Sequence, residues 1–112
     1  MVAMVRRQQE VGRFTDVALL VLISLADGAK HGYRMIHDIE EFSGTSLEPG
    51  TLYGALMRLE ERGWIEALDA ESRRRPYRIT DAGRQALAEQ LATLRRITGA
   101  ATTRLGPLWG TA

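Results

Sequence analysis

Cysteine is absent from the 112 residues, and with it go disulfides, thiolate zinc sites and any cysteine nucleophile. A reducing compartment fits that absence. Long apolar runs are missing too. The longest, Val17 to Ala26, is ten residues interrupted by Ser24, about half of the ~20 needed to cross a bilayer as a helix. No transmembrane helix is expected. Residues Met1 to Arg13 carry Arg6, Arg7 and Arg13 without an apolar stretch after Met1 or a small-residue cleavage pattern, which argues against a secretory signal and for a cytoplasmic location. Histidine is scarce: His37 and Glu41 are spaced to share a metal on a helix, but no third ligand stands near them, and His31 reads better as the residue opening a helix. No metal or cofactor is expected. A phosphate-cradling glycine loop, a nucleophile motif and an isolated carboxylate pair are also wanting, which speaks against an enzyme.

What is present is the composition of an ordinary globular domain, 45% hydrophobic and 26% charged, at a length suited to one core. The formal charge of +1 is too small to announce a polyanion partner, so any such argument rests on where the charges lie. They are segregated. Arg73 to Arg84 holds five arginines against Asp81, whereas Asp27 to Glu41 holds four acids against Lys30 and Arg34.

Thr15 and Asp16 offer N-cap oxygens before the run Val17 to Ala26, and Asp27-Gly28 closes it, so a helix buried almost all round is expected there. Tyr33, Ile36, Ile39 and Phe42 recur at intervals of three and predict a second, amphipathic helix. Pro49-Gly50-Thr51 opens a third, whose Leu52, Leu56 and Leu59 form an inward stripe ending at Gly63. Trp64 to Leu68 and Tyr77 to Thr80 are aromatic and β-branched runs separated by a polar segment, and predict a two-stranded hairpin with a charged tip. A lone hairpin is marginal, so Ile65, Tyr77 and Ile79 should hold it to the helices. Thr80-Asp81 caps a fourth helix. In it Leu87, Leu91, Leu94, Thr98, Ala101, Leu105 and Leu108 alternate gaps of four and three, a heptad seam. Gly99 and Gly106-Pro107 weaken its far part, so the helix should stop between Ile97 and Leu105. The seam suits a homodimer through Leu87, Leu91, Leu94 and Leu105, or a covering for the chain's own core.

Three helices, a hairpin and a helix follow the order of a winged helix-turn-helix: mainly α with a small β-hairpin and a C-terminal dimerisation helix. The divisions expected are an arm over residues 1–14, the DNA-binding unit over 15–80, the dimerisation helix over 81–105 and a tail over 106–112. Two places carry chemistry. A helix entering the major groove needs slim, unencumbered first turns, which Gly50, Thr51 and Gly54 provide. With the leucines inward, Thr51 and Tyr53 can donate to phosphates, Arg58 can reach a phosphate or a guanine edge, and Met57 can touch a thymine methyl. At the hairpin tip Arg73, Arg74 and Arg75 stand side by side and repel one another unless an anion is near, as in a wing that follows a DNA backbone.

These residues resemble the PadR-type transcriptional regulators. The likeness lies in His31-Gly32-Tyr33, in Pro49-Gly50-Thr51-Leu52-Tyr53 followed by Ala55, Leu56, Arg58, Leu59 and Glu60, in Gly63 with Ile65, and in Arg75-Pro76-Tyr77 leading to Ile79-Thr80-Asp81-Ala82-Gly83. It covers Val17 to Leu94. The resemblance implies a homodimeric, mostly repressing protein that binds double-stranded DNA at a pseudo-palindromic operator, with Tyr33, Gly50, Thr51 and Tyr53 near the DNA and Arg73 to Arg75 as the wing. It places the chain in the short branch, with one C-terminal helix. Some short members bind flat aromatic effectors at the dimer interface through an aromatic residue of the last helix, but Asp81 to Ile97 contains none. The competing reading is a winged-helix module for protein contacts, which would tolerate loss of the wing arginines.

Overall fold

A computed structural model describes residues 16–70 and 73–107. The expectations for the arm over residues 1–14, Thr15, Leu108 and Trp109 lie outside the described residues. Helix α1 (Val17–Leu25) starts where Asp16 accepts a hydrogen bond from the Ala18 amide at 3.0 Å, which satisfies one of the amides every helix start leaves free. Leu20, Val21, Leu22 and Leu25 are buried, as expected of a helix apolar on all sides. Ser24 is buried among them and donates to Asp38 of the next helix at 2.7 Å, so its hydroxyl is not left unsatisfied.

Strand β1 (Lys30–His31) leads directly into helix α2 (Gly32–Ser43), which ends on Gly44 at φ 74°. Met35 and Ile39 are fully buried, with Ile36 packed beside them. Here the stripe read from the sequence needs correction, because Tyr33 and Phe42 are exposed. A repeat of three falls short of the 3.6-residue turn by about 60° per step, so its first and last members lie on opposite flanks. Only the middle of the series faces inward.

Helix α3 (Pro49–Glu61) buries Leu52, Ala55, Leu56 and Leu59, and Gly63 at φ 75° turns the chain out of it. Strands β2 (Ile65–Ala67) and β3 (Pro76–Ile79) pair antiparallel, Ile65 opposite Ile79 and Glu66 opposite Arg78, the latter two joined as an ion pair. The sheet has a third strand that the sequence does not announce. β1 lies on the free side of β3, Lys30 opposite Tyr77 and His31 opposite Pro76, giving the order β1-β3-β2. Two residues carry too little periodicity to be read as a strand.

Thr80 links the hairpin to helix α4 (Asp81–Leu105). Its hydroxyl accepts from the Gly83 amide at 3.1 Å and donates to the Gly63 carbonyl at 2.6 Å. Gly83 allows the helix to approach this closely, because a Cβ there would lie 2.0 Å from the Trp64 carbonyl oxygen. Arg84 donates to the carbonyl of Ala26 at 3.1 Å, tying α4 to the end of α1. The helix passes Gly99 and stops at the far limit of the expected range, where Gly106 adopts φ 85°.

Candidate nucleic-acid interface

The start of α3 has no side-chain cap; Pro49 occupies its first turn, where a missing N–H costs nothing. Gly50, Thr51, Tyr53, Met57 and Arg58 are all exposed, while the leucines of the same helix are buried. The helix therefore presents a face with no packing duty beyond Tyr53. That tyrosine lies across the first residue of α2: a Cβ on Gly32 would stand 2.6 Å from the Tyr53 hydroxyl. Gly32 is the space in which the Tyr53 ring fits. Tyr33, the next residue, is 67% exposed.

The wing reaches this surface through β1. Pairing of His31 with Pro76 brings the hairpin tip beside the α2 start, and Arg74 Nη1 lies 3.4 Å from His31 Nε2. On its other side the His31 ring caps α2, Nδ1 accepting from the Arg34 amide at 3.3 Å. Arg73 and Arg75 are exposed on either side of Arg74. Through Gly32 and His31, adjacent at the start of α2, Tyr53 of α3 and Arg74 of the wing are brought near each other. Tyr77, half-buried, has its phenol held above the ordinary value by burial and by the nearby Glu60 carboxylate.

From the sequence His31 reads as a helix opener, and Gly32 stands only as part of a motif. No pattern along the chain could show that one would touch the wing and the other seat a tyrosine from α3. Trp64 is half-buried against the core with the Arg62 guanidinium 5.1 Å from its ring centre, a structural role. Among the described residues no three His, Asp or Glu side chains gather where a metal could bind, and no helix is long and apolar enough to cross a membrane.

Along α4 the predicted seam divides. Leu87 is buried in the chain's own core and Leu91 packs partly against it, while Leu94 is half-exposed and Leu105 is 59% exposed. A shallow groove on this helix is lined by Leu91, Leu94, Arg95, Thr98 and Thr102.

The arrangement matches a known family. The model of the transcriptional regulator PadR-like family aligns with residues 20–89, from α1 into α4. The chain belongs to that family. This PadR-like chain is 44% identical over 87 residues to a 37.1 kDa protein of transposon TN4556 from Streptomyces fradiae, an alignment covering 78% of the chain and 25% of that protein. It is 40% identical over 67 residues to the transcriptional activator GvpE of Haloferax mediterranei, covering 60% of the chain and 34% of GvpE. The chain thus spans a quarter to about a third of the length of these two relatives. The crystal structure of a PadR family transcriptional regulator from Eggerthella lenta superposes with a TM-score of 0.75 at 27% identity, covering 92% of each chain. The winged helix-turn-helix architecture is therefore that of PadR-like regulators, a family of transcription factors and not of enzymes.

Proposed function

We propose that the protein is a sequence-specific DNA-binding regulator of transcription that acts as a homodimer on a pseudo-palindromic operator. The observation that carries this reading is that Thr51, Tyr53 and Arg58 of α3 are exposed, with Tyr53 seated on Gly32 at the start of α2, where His31 meets Arg74 of the wing. Residues 15–80 form the DNA-binding unit: the exposed turns of α3, slim at Gly50, enter the major groove, and Tyr33 with Arg73, Arg74 and Arg75 holds the backbone. Residues 81–105 join the subunits, so that two half-sites about one helical turn apart are read together.

Repression by occupying the operator, relieved by a signal, is the simplest regulatory consequence. The name of the 40%-identical relative, a transcriptional activator, favours a second reading in which the bound protein activates. A flat aromatic effector would find no aromatic side chain on α4 between Asp81 and Ile97 to stack upon. The groove there is lined by leucine, threonine and arginine.

The test is binding to the duplex upstream of the protein's own gene and to a scrambled duplex over a salt series. A preference of about a thousandfold or more for the first is expected of a specific regulator. In the Arg73→Ala, Arg74→Ala variant, affinity should fall for both duplexes, with the salt slope reduced by about one unit per lost phosphate contact. Weak and equal binding to both duplexes, with a slope indifferent to those arginines, would favour a module for protein contacts.

A further inference from the structure

His31 and Arg74 face each other with a hydrogen-bond donor on each side. Nδ1 of His31 receives the Arg34 amide at 3.3 Å, so it is the acceptor nitrogen of the ring. A ring whose Nδ1 accepts carries its proton on Nε2. That Nε2–H donor faces a guanidinium nitrogen of Arg74 at 3.4 Å, and guanidinium is a donor only. Two donors therefore meet, one from the α2 cap and one from the wing, and the described residues give neither an acceptor. Turning the ring over would give up the α2 cap. Pairing of β1 with β3, His31 opposite Pro76, holds the two elements at this spacing. The neighbouring surface is uncovered: Tyr33 is exposed on one side, and Arg73 and Arg75 on the other.

We infer that His31 and Arg74 hold one backbone phosphate of duplex DNA between them, with His31 Nε2–H and the guanidinium donating to its oxygens. An anion placed there converts the donor–donor contact into two hydrogen bonds to a common acceptor. Arg74 supplies the charge and His31 supplies a donor whose direction is set by the cap, which fixes the wing relative to α2 and, through Gly32 and Tyr53, relative to the reading helix. The inference rests on the DNA-binding reading proposed above.

Three variants separate the roles. In His31→Asn the shorter side chain still caps α2, since asparagine is among the best N-cap residues, but it cannot reach the Nε2 position. This variant should keep its melting temperature and lose about tenfold in affinity for the upstream and scrambled duplexes alike, the worth of one hydrogen bond to a charged group. Its salt slope should stay as in the wild type, because no cation has been removed. Arg74→Ala should lose affinity and about one unit of slope. The double variant should be little weaker than Arg74→Ala alone, because both groups serve the same phosphate. Wild-type affinity in His31→Asn, or fully additive losses, would overturn the inference.

A DNA-free arm distinguishes failure here from failure of the regulator reading. Nitrogen-correlated NMR of the His31 ring should show the Nε2–H tautomer, and inorganic phosphate should shift its resonances in the wild type but not in Arg74→Ala. An Nδ1–H tautomer, or a ring indifferent to phosphate, refutes the shared grip. A ring that responds to phosphate in a protein that ignores every duplex sustains the anion grip and refutes the regulator reading.

Discussion

Tyr53 and Gly32 show how much of this surface depends on single side chains. Adding a methyl group at Gly32 meets the far end of a tyrosine and only ordinary contact from Leu52, so the ring swings away while the core stays in place. Gly32→Ala is expected to leave thermal stability within about 0.5 kcal/mol and to weaken duplex binding about tenfold, the cost of one misplaced charge-assisted contact. Combining it with Tyr53→Phe should cost little beyond Tyr53→Phe alone, which titrations with the upstream duplex will show. Tyr77 makes the fold sensitive to alkali. Its folded-state value lies above the ordinary 10.0 because burial, and then the Glu60 charge, disfavour the phenolate. The unfolded chain therefore gives up that proton first, and stability is full below pH ~10 and lost as pH rises through the raised folded value. Denaturant melts from pH 8 to 11 should show this decline, and Tyr77→Phe should remove its share.

At the scale of elements, the decisive contact is that of α4 with the end of the hairpin. Gly83 is buried in the first turn of the helix, and backbone, not a flexible side chain, occupies the place of its missing Cβ. Gly83→Ala must push α4 away from Trp64, at a cost of about 3 kcal/mol, the upper range for overpacking a tight site. Urea titration should show a lowered midpoint, and an unchanged one would contradict the close approach. The elements differ in how plainly the chain declares them. α1 and α3 are legible because a continuous apolar run and the Leu52, Leu56, Leu59 spacing point one way, with Asp16, Pro49 and Gly63 marking ends. α2 is legible as a helix but not in its facing, since a repeat of three drifts around a 3.6-residue turn. β1 is invisible in isolation. Its two residues become a strand only because β3 offers them backbone partners.

For the whole molecule, the question is which leucines of α4 serve the monomer and which remain for a partner. Leu87 is enclosed by the chain's own core, whereas Leu94 and Leu105 stay partly or largely in solvent. Leu87→Ala should therefore destabilise the fold at any concentration, by about 2–5 kcal/mol. Leu94→Lys should leave each chain folded and shift sedimentation toward monomer. Sedimentation of the wild type as a monomer at micromolar concentration would count against the proposed dimer, and with it against cooperative reading of two half-sites.

Local hydrogen-bond capping and apolar periodicity set which segments become long helices, where they begin and end, and which family the order of the motifs resembles. The sequence also marked Thr51, Tyr53, Arg58 and the wing arginines, since their chemistry does not depend on neighbours far along the chain. Packing between distant segments supplied the rest. It set a two-residue strand beside the wing, consumed Leu87 in the core, seated Tyr53 on Gly32 and brought His31 against Arg74, 43 residues away. Each is a contact between segments distant in sequence, fixed by strand pairing and by the volume available between helices, and neither quantity is written in the spacing of residues along one segment.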